Sequence, residues 1–258
     1  MNIVLVHGVL GAHIFAGQPY FNGVAEHFRK QGHDVMESDT KPIATVDLRA
    51  DQLHGQIVKR FGAAPADKLI IIAHSMGGLD ARLMLHKYAE LAKHVRSLTC
   101  VATPHRGSPV ATFLNKPTSP LRRLLDWFSP GNPDSLLRRV IKEFDAVRDL
   151  SEEGARKIDA MCPDIDGIRY AEVVGIGRGP NGGDTAAFFK LMPGMSGGVN
   201  DGLVPRDSAA RPGRKPLEEA HADHADLVGH DVDDFPQLRA RKFDHLPLYD
   251  RILAAATA

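Results

Sequence analysis

The chain has 258 residues, enough for one large α/β domain with a sizeable buried core. Lysine plus arginine number 32 and aspartate plus glutamate 32, a formal net charge of zero that argues against a nucleic-acid or polyanion partner. With 43% hydrophobic residues and ordinary Gly and Pro content the composition is not that of a disordered chain, and Cys100 and Cys162 allow at most one bridge and suit packing better.

The N-terminus reads "MNIVLVHGVLGAH", with an apolar run only from Ile3 to Val6 and neither a basic region before it nor a small-residue cleavage site. That is not a signal peptide, and no stretch approaches the roughly 18 apolar residues needed to cross a bilayer. A soluble, cytoplasmic protein without a transmembrane segment is expected. Along the chain, 2–6 reads as a strand, 19–32 as a helix ending at Gly32, 34–39 as a strand and 46–62 as a helix with apolar positions at helical spacing. Residues 68–73 are a short apolar strand, 77–88 a helix and 94–104 a strand closed by Pro104. Such alternation, with near-continuous apolar strands, predicts a mostly parallel sheet covered on both faces by helices. Active sites of such sheets lie at the carboxyl ends of the strands.

The alternation breaks after Pro109. Residues 110–161 contain no strand candidate, but carry "LRRLLDWF", a "SPGNPD" turn, and Leu136, Leu137, Val140, Ile141, Phe144 and Val147 at helical spacing. A helical insertion, or cap, in an otherwise single domain over 1–258 is expected. A strand at 168–177, a glycine-rich loop to Asn200 and a closing helix at 245–256 complete the chain.

In "KLIIIAHSMGGLDARLML" a strand meets a helix through "AHSMGG", the strand–turn–helix context of a nucleophile elbow. The turn is tight enough to require small residues two positions either side of Ser75, and Ala73 and Gly77 stand there, Ala73 in place of the usual Gly. A plain helix N-cap is the simpler role for Ser75. A serine attacks only if a base takes its proton and donors hold the oxyanion that forms. The backbone N–H of Met76, just after the nucleophile, is one candidate donor. "VLVHGVLG", a strand running into Gly8, offers the N–H of Val9 as the other. Downstream, "GVNDGLVPRDS" supplies Asp201 as a candidate acid, and "HADHADLVGHD" supplies His221, His224 and His230 as candidate bases. His7 and His74 flank the two loops and are placed to tune the site.

Taken together, "VLVHGVLGA", "YFNGVAEHFRKQGHDV", "AHSMGG", "TPHRGSPVA", "DLSEEGARKIDAMCP", "NDGLVP" and "DHADLVG" resemble, in order and over nearly the whole chain, the bacterial triacylglycerol lipases of the α/β-hydrolase fold, especially those of pseudomonads. The "AHSMGG" form is similar to the elbow of small Bacillus lipases. The resemblance implies Ser75 as nucleophile, Asp201 as acid, His224 as base, and the N–H groups of Val9 and Met76 as oxyanion donors. It implies a carboxylic ester hydrolase acting on an acyl-ester substrate without a required cofactor. It also implies a structural calcium near Asp226, with Asp184 as a second carboxylate. The amphipathic insertion itself has two readings, ordinary core packed on the sheet domain or a cap whose Leu124, Leu125, Trp127 and Phe128 meet a lipid interface transiently. The alternatives are a short-chain esterase or acyltransferase on a soluble substrate, a metallohydrolase built on the 221–231 histidines, and a hydrolase-fold binding protein with a dead site.

Overall fold

The computed structural model describes residues 1–9, 11, 18–109, 111–112, 148–177, 198–231 and 243–258. Six strands form one sheet: β1 (Asn2–Val6), β2 (Asp34–Glu37), β3 (Leu69–His74), β4 (Val95–Val101), β5 (Arg169–Gly175) and β6 (Glu218–Ala220). They lie in the order β2-β1-β3-β4-β5-β6, and every pairing is parallel. The helices are α1 (Val24–Lys30), α2 (Val46–Phe61), α3 (Met76–Lys87), the short α4 (Ala89–Ala92), α5 (Glu152–Met161), the short α6 (Arg206–Ala209) and α7 (Leu246–Thr257).

Alternate side chains of the central strands serve opposite faces. Ile3 and Leu5 of β1 and Ile70 and Ile72 of β3 pack with Phe28 of α1 and Tyr249 and Ile252 of α7. Val4, Val6, Leu69, Ile71 and Ala73 pack on the other face with Leu53 and Ile57 of α2 and Met84 and Leu85 of α3. Because both faces are covered, β1 is apolar without a break from Ile3 to Val6 and β3 from Leu69 to Ala73, which is why they stand out in the sequence. A smaller cluster joins α5 to α3 through Ala155, Ile158, Met76 and Leu79. Ser151 caps α5, its hydroxyl accepting the Gly154 N–H at 3.2 Å, with Glu152 and Glu153 in the favourable first turn.

Several boundaries differ from the expected ones for local reasons. Gly23 adopts φ 74°, a left-handed conformation that cannot continue a helix, so α1 begins at Val24 rather than at residue 19. β4 stops at Val101 because Ala102 turns into the left-handed region at φ 48°. β6 was not expected: its three residues, Glu218, Glu219 and Ala220, carry no strand signal and owe their conformation to pairing with β5. Within the range assigned to the cap, residues 152–161 are α5, packed on the sheet domain through α3. Residue 110 and residues 113–147 of that range, including Leu124, Leu125, Trp127 and Phe128, lie outside the described residues. Cys100 and Cys162 are both buried and free. No helix among the described residues is long and apolar enough to cross a membrane.

The strand order reverses between β1 and β3, since the chain passes from β1 out to β2 and back across. Loops after β1 and β3 therefore leave the sheet side by side at their carboxyl ends, the place where open α/β sheets hold their ligands. Gly8 follows β1 and Ser75 follows β3.

Candidate active site

Ser75 joins β3 directly to α3 with φ 56° and ψ −131°. A non-glycine residue there carries strain of roughly 1–3 kcal/mol, tolerated only where the surroundings hold it. Its N–H donates to the Val101 carbonyl at 2.9 Å, tying the turn to β4. The residues after it must be small: a Cβ on Gly77 would lie 2.5 Å from the Val6 carbonyl oxygen and 2.7 Å from that of His7, and one on Gly78 would collide with Thr103. The first turn of α3 thus rests on the end of β1. Met76, fully buried, is the first residue of α3, so its N–H is among those without an intrahelical acceptor.

The loop after β1 reaches this turn through Gly8, where a Cβ would lie 2.8 Å from Ser75 Cβ and 2.6 Å from the Tyr20 hydroxyl. Two buried groups hold its backbone. His7 Nδ1 lies 2.7 Å from the Gly8 carbonyl oxygen, and His7 Nε2 lies 3.2 Å from the Thr40 hydroxyl. A carbonyl can only accept, so Nδ1 carries the proton and Nε2 accepts from Thr40. Burial first, and the nearby Arg49 charge second, push the His7 pKa down to about 4 and keep it neutral. Arg49 of α2 donates through Nη2 to the His7 carbonyl at 2.7 Å and to the Gly8 carbonyl at 3.3 Å. Peptide planarity then points the Val9 N–H to the opposite side of the Gly8–Val9 peptide. The Val9 side chain packs against the cluster that contains Met76.

Asp201 and His224 come from separate loops and meet. Asp201 Oδ2 lies 2.7 Å from His224 Nδ1, and the His224 N–H donates to the Asp201 carbonyl at 2.9 Å. Asp201 Oδ1 accepts the N–H groups of Leu203 at 2.9 Å and Val204 at 2.7 Å. Gly175, ending β5, makes room: a Cβ there would lie 2.7 Å from Asp201 Cβ. With Nδ1 donating to a carboxylate, His224 Nε2 is the nitrogen able to take a proton. The His224 ring lies 4.5 Å, centroid to centroid, from that of His74, the residue before Ser75. His74 is itself buried, bonded to the Tyr20 hydroxyl at 2.8 Å through Nδ1, and held well below its ordinary pKa by burial and then by the charge of His224.

The other two candidate bases have different surroundings. His221 is exposed, and His230 Nε2 faces the carbonyl oxygens of Pro19 at 3.0 Å and Tyr20 at 3.1 Å. Asp226 is buried and its Oδ2 accepts the Asp223 N–H at 2.9 Å, while Asp223 Oδ1 accepts the Asp226 N–H at 2.8 Å. This reciprocal pair of bonds closes the turn that leads into the short 3-10 helix Asp226–Val228. Asp184 lies outside the described residues. Among the described residues no three His, Cys, Asp or Glu side chains gather as metal ligands.

Two residues of this site were not singled out by sequence. Arg49 occupies the apolar stripe of α2, in step with Val46, Ala50, Leu53 and Ile57, and a charge at such a spacing is a legible sign of a buried partner. Tyr20 carried no comparable signal.

The structure aligns with Staphylococcus hyicus lipase at a TM-score of 0.68 and 21% identity, covering 98% of this chain and 94% of that one. The chain has the α/β-hydrolase fold. A metagenomic carboxyl esterase aligns at a TM-score of 0.70 and 20% identity, over 100% of this chain and 74% of the esterase. By sequence, residues 52–118 match the PGAP1-like alpha/beta domain. A triacylglycerol lipase of Vibrio cholerae is 32% identical over 112 residues, 43% of this chain and 35% of that lipase. The chain thus matches only about a third of that curated relative's length.

Proposed function

We propose that the chain is a carboxylic ester hydrolase of the lipase and esterase type, acting through Ser75, His224 and Asp201. The observation that carries this is the Asp201–His224 pair at 2.7 Å, set beside the strained strand–helix turn that holds Ser75. The likeness to lipases and esterases supports the same chemistry.

In the first half-reaction His224 Nε2 takes the Ser75 hydroxyl proton as Oγ attacks the ester carbonyl. The Val9 and Met76 N–H groups hold the oxyanion, and their backbone is fixed beforehand by His7, Arg49 and the start of α3, so little reorganisation accompanies the attack. Collapse expels the alcohol, which receives the proton from His224, and leaves the acyl group on Ser75. Water then repeats the steps and releases the acid. Asp201 keeps the imidazole in the Nδ1–H tautomer and stabilises its charged form.

The substrate is an acyl ester, and the cap is proposed to meet a lipid surface during turnover. Initial rates on p-nitrophenyl esters from acetate to palmitate, with Ser75→Ala as blank, test this. A chain-length optimum at or beyond octanoate supports a lipase, hydrolysis confined to acetate and butyrate a short-chain esterase, and no Ser75-dependent hydrolysis at any length contradicts the proposal.

A further inference from the structure

Ser108 lies in the loop after β4, is buried, and belongs to none of the groups assigned above. Its hydroxyl donates to the Leu203 carbonyl at 2.6 Å. That carbonyl is one end of the Leu203–Val204 peptide, and the other end, the Val204 N–H, donates to Asp201 Oδ1 at 2.7 Å. Since the peptide is a rigid plane, fixing its oxygen fixes the direction of its N–H. A donor on the carbonyl also polarises the amide and strengthens the bond that its N–H gives. The result is one continuous run of hydrogen bonds, from the Ser108 hydroxyl through that peptide to Asp201 Oδ1, and from Oδ2 to His224 Nδ1.

We propose that Ser108 is a positioning residue for the reaction, acting through the Leu203–Val204 peptide to set the orientation of Asp201 toward His224. This rests on the Ser75, His224 and Asp201 assignment above. The loop that bears Ser108 is well anchored for such a role. The Ser108 N–H donates to Leu150 O at 2.9 Å, and Gly107, at φ 85°, packs so closely on the start of α5 that a Cβ would lie 2.5 Å from Glu152 Cα.

A second serine provides the control. Ser208 of α6 also binds the loop that bears Ser108, its hydroxyl donating to the Gly107 carbonyl at 2.6 Å and accepting the Arg106 N–H at 3.1 Å, yet neither bond ends on the peptide that holds Asp201. Loss of the Ser108 hydroxyl lets the carboxylate turn from the imidazole, the imidazolium loses stabilisation, and the acid limb of kcat/KM, which reports the base, moves to lower pH. The test is kcat, KM and the full pH profile on a soluble p-nitrophenyl ester, with melting temperatures, for wild type, Ser108→Ala, Ser108→Thr, Ser208→Ala and Ser75→Ala. For Ser108→Ala, kcat should fall by roughly tenfold with KM little changed, and the limb should shift down by roughly half a pH unit. Ser108→Thr, which keeps the hydroxyl, should restore the profile, and Ser208→Ala should lower the melting temperature with its limb at the wild-type position. An unshifted limb in Ser108→Ala, or equal shifts in Ser108→Ala and Ser208→Ala, overturns the positioning role. Should Ser108→Ala fail to fold, a wild-type limb in Ser108→Cys, whose thiol is a weak donor, does the same. Hydrolysis surviving in Ser75→Ala overturns the underlying assignment instead.

Discussion

Arg49 and Asp80 lie 2.7 Å apart with neither side chain exposed to solvent, an ion pair buried between α2 and α3. Burial pushes the Asp80 carboxyl up to about 6, while the Arg49 charge pulls it back. The pair alone is weak grounds for stability, since desolvation offsets much of the attraction. Its use lies in what else Arg49 holds, the carbonyls of His7 and Gly8. Arg49→Met strands Asp80 in the core and should cost roughly 3–5 kcal/mol, measured by urea unfolding. Arg49→Lys keeps the charge but loses the planar fork, so kcat should fall more than stability. Unaltered ester turnover in Arg49→Lys would show that the loop after β1 needs no such clamp.

The contact between α3 and β1 gives a second expectation. Gly77→Ala places a methyl against the backbone oxygens of Val6 and His7, neither of which can move without disturbing the sheet. A loss of at least roughly 1–3 kcal/mol is expected, together with lost activity, because the same contact sets the turn at Ser75. A melting temperature within a degree of wild type would mean that α3 shifts without cost.

His224 and His230 separate catalysis from packing. His224→Ala should lower kcat by several orders of magnitude while the chain stays folded, because members of a triad act as a unit. His230→Ala removes contacts to the Pro19 and Tyr20 carbonyls and should act mainly on stability. The reverse pattern would place the base on the wrong histidine.

Acid should unfold the protein through its buried neutral histidines. His7, His74 and His105 all have folded pKa values below the ordinary one, with burial the first cause in each. The unfolded chain takes up protons below about 6.5 that the folded chain refuses, so stability falls as pH drops from there toward 4. His7, held at about 4, accounts for roughly 3 kcal/mol of that loss at its lower end. Urea midpoints from pH 7.5 to 4.5 should drop less steeply in His7→Asn than in wild type. Equal slopes would mean that His7 does not carry the effect.

Much of the fold was legible because the physics that forms it is local. β1 and β3 are built on apolar runs, and α2 and α7 carry helical periodicity, so each declares itself in sequence. The Ser75 turn was equally legible, since only small residues fit around it. β6 was not, because an edge strand of two glutamates and an alanine is made by its neighbour. Nor could the sequence choose among His221, His224 and His230 without the resemblance. That choice depends on how two loops, 23 residues apart in the chain, fold over the end of β5.

The most direct measurement of the central claim is covalent labelling of the folded protein with a fluorophosphonate, located by peptide mass spectrometry. A phosphonyl group on Ser75 alone, with ester hydrolysis abolished in step and no label on Ser75→Ala, is the expected result. Label on another residue, or full hydrolysis by Ser75→Ala, would contradict the assignment of Ser75 as the nucleophile.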